Sequence, residues 1–233
     1  MKIFENKPMY FMGDNHGEYE IMFDLINKHE LTDCYFIHMG DGGEGFVHTE
    51  KQLRQFIHLN EFFKARNIHY MSIRGNHSDP FYFKTENQMP LSNFELIEDY
   101  TVVEYSGKLI QFIGGAISID RTVRHEGISY WSNEVVNFDE DKCQKVDVLV
   151  THTAPSWCFP QKFNRIVYDW SLRDASLLKE LTTERAIMDK IFNICQPSIH
   201  LYGHFHSSWT EEVNNCKHKL LDINEIWELK LND

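Results

Sequence analysis

The stretch PMYFMGDNHG, residues 8–17, combines two features that recur along the chain. Pro8–Met12 is an apolar run with the length of a buried strand, and polar side chains begin abruptly at Gly13-Asp14. Glu18–His29 then carries apolar side chains at helical spacing. The segment therefore predicts a buried strand, a polar turn and a covering helix.

The same order of elements continues through the first half of the chain. Tyr35–Met39 and His69–Ile73 are further apolar runs of strand length, and Thr49–Arg66 between them has helical periodicity. Thr49 and Gln52 match a capping box at the start of that helix. The resulting order, β-α-β-α-β, favours parallel strands with covering helices.

The second half of the chain is predicted to be mainly β. The predicted elements are a hairpin of Leu96–Glu104 with Leu109–Ile113, a strand at Val146–Val150, a helix at Glu184–Cys195, a strand at Ser198–Tyr202, a hairpin around Asn214-Asn215 and a last strand near Ile226–Leu231. Ser156–Leu181 shows no clear period and is either a flap over a site or a surface excursion. We therefore expect one α/β domain over residues 1–233.

Composition bounds the class of protein. Hydrophobic residues make up 42% and charged residues 25% of the 233 residues, as in soluble globular proteins. The net charge of −12 argues against a long nucleic-acid partner. No run approaches the roughly 20 apolar residues of a membrane span, and Met1–Lys7 lacks a signal-peptide pattern. The five cysteines are odd in number and form no CxxC pair, which predicts a reduced, cytoplasmic protein without a thiolate zinc site.

Five predicted strands end in turns that are rich in potential metal ligands. These turns are Gly13-Asp14-Asn15-His16-Gly17, Gly40-Asp41-Gly42-Gly43, Gly75-Asn76-His77, Thr151-His152 and Gly203-His204-Phe205-His206. Because the carboxyl ends of strands converge on one edge of an α/β sheet, we expect these side chains to meet there. Carboxylate, imidazole and amide ligands suit divalent ions such as Mn, Fe, Zn or Ni.

The order of these motifs, DxH, GD, GNH, a lone histidine and GHxH, resembles that of the calcineurin-like metallophosphoesterase superfamily. The motifs extend over positions 13–206. The resemblance implies a four-layer α-β-β-α sandwich with two mixed sheets facing each other and the site at the strand C-terminal ends. It also implies two metal ions, one bound by Asp14, His16 and His206 and the other by Asn76, His152 and His204.

The resemblance assigns catalytic roles to two further residues. Asp41 would bridge both metals, and a metal-bridging hydroxide would attack phosphorus in line. His77 would protonate the leaving oxygen as a general acid, and Asn76 and His77 would contact the substrate. We therefore expect a metal-dependent phosphoric ester hydrolase.

Other segments bear on the substrate. GDGGEGF and RGNHSD differ from the GDxVDRG and RGNHE of protein serine/threonine phosphatases, which weakens that role. Asp79 is either a partner of His77 or a turn residue. The segment 114–127 resembles the GGAxSID segment of a bacterial and phage branch of the superfamily. Its Arg121 and Arg124 either bind phosphate or form surface ion pairs, and Trp131 is either a pocket wall or a core residue.

These patterns favour a phosphodiesterase, with manganese among the candidate metals, that acts on a nucleotide-like or other small phosphate ester. The alternatives are a phosphomonoesterase or protein phosphatase, a nuclease, and a non-catalytic scaffold of the same fold. The histidines outside the motifs receive no role; they are His29, His38, His48, His58, His69, His125, His200 and His218.

Overall fold

The structure, a computed structural model, describes residues 1–231. In chain order its strands and helices are β1 Lys2–Phe4, β2 Met9–Met12, α1 Tyr19–Lys28, β3 Tyr35–His38, α2 Thr49–Lys64, β4 His69–Ser72, β5 Phe94–Leu96, β6 Val102–Tyr105, β7 Lys108–Ile113, β8 Val148–Thr151, α3 Arg165–Ser171, α4 Leu177–Cys195, β9 Ile199–Tyr202, β10 Trp209–Val213, β11 Cys216–Leu220 and β12 Ile226–Glu228.

The strands form two mixed sheets. The five-stranded sheet has the order β12-β2-β3-β4-β5, in which β12 is antiparallel to β2 and the other neighbours are parallel. The seven-stranded sheet has the order β1-β6-β7-β8-β9-β11-β10, with antiparallel pairs β6–β7 and β10–β11. Both hairpins predicted from the sequence are therefore present.

The two sheets pack face to face, and helices cover their outer faces. Phe11 and Ile37 of the five-stranded sheet share a buried cluster with Phe112, Val150 and Leu201 of the other sheet. Because side chains alternate along a strand, neighbouring residues of the same strands point the other way, towards the helices. The outer clusters include α1 and α2 on one side and α4 on the other. The predicted α-β-β-α layers are confirmed.

The cap of one helix and the start of another differ from the prediction. The capping box is wrong: α2 begins after His48 without a side-chain cap, and the buried Gln52 amide oxygen instead accepts the Gly45 N–H at 2.8 Å. Helix α4 begins at Leu177 rather than Glu184, because Leu177 and Leu181 bury their side chains in a separate apolar cluster.

The apolar run at residues 96–104 is divided between the sheets. β5 ends at Leu96 in the five-stranded sheet, and the chain crosses to the seven-stranded sheet, where β6 begins at Val102. The first strand, Lys2–Phe4, was not predicted and pairs in parallel with β6. One domain over residues 1–233 stays a prediction, and its residues 232–233 lie outside the described part. Within residues 1–231, no helix has the length and apolar character needed to cross a membrane.

Candidate metal centre

The five polar turns meet at one end of the facing sheets. The backbone carbonyl of Asp41 accepts the His16 N–H at 2.7 Å, which joins the turns after β3 and β2. Asp14 Oδ1 accepts the His204 N–H at 3.1 Å, which joins the turn after β2 to the turn after β9 in the other sheet. Strands from both sheets thus bring their carboxyl ends to one site.

Glycines allow the turns to approach this closely. A Cβ on Gly75 would lie 2.0 Å from Oδ1 of Asp41, and a Cβ on Gly40 would lie 2.4 Å from Nδ1 of His152. Both distances are far below van der Waals contact, so any side chain would displace a candidate ligand. The glycines of the motifs are therefore part of the geometry of the site.

Four of the candidate ligands have left-handed backbone conformations. The φ angles are 53° for His16, 60° for Asp41, 69° for His204 and 46° for His206. This region is unfavourable for residues with a side chain and is found where the surrounding structure holds the backbone in place. The local strain directs several side chains of the turns towards one another.

The first group of ligands is Asp14, His16 and His206. Nε2 of His206 lies 3.2 Å from Nε2 of His16 and 3.2 Å from Oδ2 of Asp14. Oδ2 of Asp14 is buried and has no partner with hydrogen-bond geometry. A buried carboxylate oxygen facing imidazole nitrogens fits the coordination of a divalent cation.

The second group is Asn76, His152 and His204, with Asp41 beside it. Nδ1 of His152 lies 2.7 Å from the Met39 carbonyl and donates its proton there, so Nε2 is the nitrogen that faces the other ligands. This Nε2 lies 3.1 Å from Oδ1 of Asn76 and 3.3 Å from Oδ1 of Asp41. The three atoms can coordinate one cation when Nε2 releases its proton.

Ser118 orients the amide of Asn76. Its hydroxyl oxygen accepts the Asn76 Nδ2 proton at 3.0 Å, which turns Oδ1 towards His152. The Ser118 N–H is held in turn by Oε1 of Glu134 at 2.7 Å. This role of Ser118 is not predicted by the sequence, although Ser118 belongs to the segment 114–127 that also contains Arg121 and Arg124.

Asp41 lies between the two groups. Its carboxylate is within ligand range of His152 and His204 on one side and of His16 and His77 on the other. Burial alone would raise the pKa of Asp41, but the imidazoles of His152 and His77 outweigh burial and hold this pKa well below its ordinary value. The carboxylate is therefore ionised at neutral pH and available to two cations.

The two histidines of the second group differ in charge. Burial lowers the pKa of both imidazoles, but the carboxylates of Asp41 and Asp14 raise the pKa of His152 to about 9. For His204 burial prevails and lowers the pKa to about 3. His204 therefore presents a neutral imidazole, as a metal ligand must.

His77 lies at the edge of the two groups. Its backbone N–H donates to Oδ1 of Asp41 at 2.7 Å, and its Nε2 is 3.8 Å from Oδ2 of the same carboxylate. The guanidinium nitrogens of Arg124 lie 2.5 and 3.2 Å from its ring nitrogens. Burial lowers the pKa of His77, and the charge of Arg124 lowers it further against the opposing effect of Asp41.

The structure separates the two arginines of the segment 114–127. Arg124 pairs with Asp120 at 2.6 Å and lines the cavity over the candidate ligands. Arg121 instead pairs with Asp174 at 2.6 Å and with Glu180, which is the ion-pair alternative. Of the two arginines, only Arg124 lines the cavity beside His77.

The structure also bears on the alternatives left open for Asp79 and Trp131. Asp79 accepts the Phe81 N–H at 2.9 Å and caps a short 3-10 turn, as expected for a turn residue. Trp131 is buried and stacks on Phe46 with ring centroids 6.4 Å apart, while Phe46 itself lines the cavity. Trp131 is therefore a core residue that supports the cavity wall.

A cavity of about 910 Å³ opens over the candidate ligands. Its floor includes His16, Asp41, Asn76, His77, His204 and His206. Its wall is largely apolar and includes Phe163, Ile166, Val167 and Trp170 from the region of α3. The segment 156–181, whose role the sequence left open, thus forms one side of this cavity.

A family model described as calcineurin-like phosphoesterase matches residues 7–208. The chain belongs to this family. Together with the clustered ligands, membership defines a metal-dependent phosphoesterase, and the two-sheet architecture is that of the family. No curated protein matches the chain.

Solved structures that resemble the chain are distant in sequence. An uncharacterised protein of Streptococcus pneumoniae, described as a predicted phosphoesterase, is 11% identical with a TM-score of 0.32 over 94% of this chain and 74% of that one. The phosphopantetheinyl hydrolase of Mycobacterium tuberculosis is 11% identical, with a TM-score of 0.47 over 97% of each chain. GAP50 of Plasmodium, described as the anchor in the inner membrane complex, is 11% identical with a TM-score of 0.39 over 93% of this chain and 72% of that one. Likenesses at this level carry no argument about substrate.

Proposed function

We propose that the chain is a dinuclear-metal phosphodiesterase for small phosphate esters with an apolar or flat organic group. The observation that carries this proposal is the position of Asp41, which is shared by two ligand groups on the floor of a cavity with an apolar wall. The floor suits a phosphoryl group, and the wall suits the organic part of an ester. A cavity of about 910 Å³ accommodates a nucleotide-sized molecule.

The candidate ligands would form two metal sites that share one carboxylate. Asp14, His16 and His206 would hold one divalent ion, Asn76, His152 and His204 the other, and Asp41 both. When bound, the two ions supply Lewis-acid stabilisation of phosphoryl oxygens and an acidified water. The mixture of imidazole and oxygen ligands would suit Mn, Fe, Zn or Ni.

Two side chains would act on the substrate directly. His77 would donate a proton to the leaving oxygen, which is poor at departing as an alkoxide. Arg124 would hold a nonbridging phosphoryl oxygen through its forked donors. Asn76 would contact the substrate through the same edge of the site. Because Arg124 contacts His77, both groups would act from one side of the reacting phosphorus.

The largely apolar wall favours a diester over a monoester, because a diester carries a second organic group that such a wall can accommodate. Asp120 pairs with Arg124 and offsets part of the positive charge that the second negative charge of a monoester would need. A phosphomonoesterase is the second candidate, and a scaffold role is disfavoured because every ligand position and His77 are filled.

The test compares diester and monoester hydrolysis by metal-reconstituted protein. With Mn or Ni present, we expect bis-p-nitrophenyl phosphate to be hydrolysed faster than p-nitrophenyl phosphate. Among natural diesters, we expect cyclic nucleotides to be cleaved. Asp41→Asn should abolish turnover and reduce metal content together. Asp79→Asn, a matched change at a turn residue, should retain both. Turnover by Asp41→Asn, or no turnover with any metal, would overturn the proposal.

We also propose that residues 1–233 act as one domain in the cytoplasm. The five cysteines are all buried and unpaired in the described chain, as expected for a reducing compartment. Non-reducing mass analysis of the protein from its native host tests this. Detection of a disulfide would contradict a cytoplasmic location.

A further inference from the structure

A second cluster of potential ligands lies apart from the candidate metal centre. Cys158, His200 and His218 are all fully buried. His200 on β9 and His218 on β11 are register partners in adjacent parallel strands. Their rings pack near Phe192 of α4, on the helix-covered face of the seven-stranded sheet, and Cys158 reaches them from the chain after β8.

Hydrogen bonds determine which nitrogen of each ring carries a proton. The Thr151 hydroxyl donates to the Thr153 carbonyl, so its oxygen accepts from Nε2 of His200 at 2.9 Å. Nε2 of His218 donates to the Val213 carbonyl at 3.2 Å. In neutral imidazoles this leaves Nδ1 of both histidines as bare acceptors.

These two acceptors face each other. Nδ1 of His200 and Nδ1 of His218 lie 3.1 Å apart, and Sγ of Cys158 lies 3.4 Å from Nδ1 of His218. A thiol proton can satisfy only one of the two nitrogens, and complete burial disfavours a charged imidazolium pair. Two facing lone pairs in a dry interior are unfavourable unless a cation lies between them.

Two of the three separations match a tetrahedral metal. With metal–nitrogen and metal–sulfur bonds of about 2.0 and 2.3 Å, tetrahedral ligands stand roughly 3.3 Å (N–N) and 3.5 Å (N–S) apart. The observed separations of 3.1 and 3.4 Å are close to these values. Ligand atoms from all three residues lie within 4.8 Å of one another. The hydrogen bonds at the far ring nitrogens are those that commonly orient metal-binding histidines.

We propose that Cys158, His200 and His218 form a separate site for a thiolate-binding transition metal, for which Zn²⁺ is the best fit. The metal would be held by Sγ of Cys158 and Nδ1 of each histidine, leaving one tetrahedral position open. Binding would release the thiol proton to solvent and form a sulfur–metal bond. The Arg185 guanidinium, which donates to the Cys158 carbonyl at 2.9 Å, adds positive charge that favours the thiolate.

The proposed site would act structurally. Cys158 directly precedes the stretch that begins the apolar wall of the cavity, where Pro160 and Phe163 are lining residues. A metal would attach this stretch to β9 and β11. The sequence predicts neither a role for the two histidines nor a thiolate zinc site. The three residues are far apart along the chain, and only the fold brings them together.

Metal content and cobalt absorption test the site. Protein produced with added Zn²⁺ should contain one more metal ion per chain than Cys158→Ser. Cys216→Ser is the matched control, because Cys216 is also a fully buried thiol and lies on the same strand as His218. It should keep the full metal content. Co²⁺-loaded wild-type protein should show a thiolate-to-cobalt charge-transfer band in the near ultraviolet, which is lost in Cys158→Ser.

The test is independent of the proposed function. The candidate active site contains no sulfur ligand, so Asp41→Asn should lose turnover yet keep the thiolate–cobalt band. Wild-type protein without this band, or Cys158→Ser with unchanged metal content, would overturn the site. If Cys158→Ser does not fold, the spectra of wild type and Asp41→Asn decide the question without it.

Discussion

Oδ1 of Asn76 lies 3.1 Å from Nε2 of His152, and both atoms are candidate ligands of the same metal. Nδ1 of His152 donates to the Met39 carbonyl, and the amide protons of Asn76 point towards Ser118. These outer hydrogen bonds direct the two ligand atoms at one point. Because Asp41 and Asp14 raise the pKa of His152 to about 9, a cation that binds here would displace the proton on Nε2.

Ser118→Ala should weaken metal binding without removing a ligand. The Asn76 amide would lose the acceptor that orients it, and loss of such outer partners typically lowers metal affinity by about 10–100-fold. A chelator competition measurement gives the affinity. Ser132→Ala, on the same stretch but bonded to the exposed Glu126, should leave it unchanged. Equal affinity in the two variants would contradict the orienting role.

His77→Ala should slow hydrolysis most for esters with poor leaving groups. A general acid matters more as the leaving oxygen becomes more basic, and its loss typically costs about 10²–10⁴-fold. Rates across a series of aryl and alkyl esters give this dependence, and metal content should stay at the wild-type level. The same slowing for good and poor leaving groups would exclude the acid role.

Arg124→Ala and Arg121→Ala should have different effects. Arg124 lines the cavity beside His77, so its loss should lower kcat/KM by about 10-fold or more, as expected for losing a charged hydrogen bond worth roughly 1.5–3 kcal/mol. Arg121 pairs with Asp174 and Glu180 near the surface, so its loss should cost about 1 kcal/mol or less of stability and leave kcat/KM unchanged. Steady-state kinetics and urea unfolding measure both. A larger kinetic effect at Arg121 would refute the assignment.

Glu184→Gln should stabilise the protein increasingly as pH rises. Burial raises the pKa of Glu184 to about 8, against an ordinary value of 4.5. The folded state therefore holds a proton that the unfolded state loses between these values, so wild-type stability falls as pH rises through this window. The glutamine variant lacks this loss, which is on the order of 1 kcal/mol per pH unit.

Urea unfolding of wild type and Glu184→Gln from pH 5 to pH 8 measures this difference. The two curves should be close at pH 5 and diverge towards pH 8. Exposed Glu50→Gln on α2 serves as the control and should give no divergence. Parallel curves for wild type and Glu184→Gln would show that the carboxyl is ionised when buried.

Two features of the fold could not be predicted from the local sequence. The run at residues 96–104 is interrupted by Glu98 and Asp99, which lie where the chain crosses between the sheets, but the local sequence does not identify this crossing as a change of sheet. Gln52 matched a capping box, but the distant Gly45 N–H competes for its side chain. In both places tertiary contacts decide between local alternatives of similar energy.

The sequence points to the candidate ligands more directly than to the surrounding fold. These ligands lie in short motifs at strand ends, and strand order alone brings such ends to one edge. The different placements of Arg121 and Arg124, three residues apart, depend on which acidic side chains lie nearby in space. Likewise, Ser118 was overlooked because only its distance to Asn76 reveals its role.

The sequence by itself determined the two-sheet architecture and the family, because buried strands and glycine-flanked ligands leave a local signature in chain order. The tertiary structure alone decided the apolar wall formed by residues 156–181 and the meeting of Cys158 with His200 and His218. These features depend on packing between segments far apart in the chain. The periodicity and spacing of residues in the sequence do not predict which buried side chains contact one another in the folded protein.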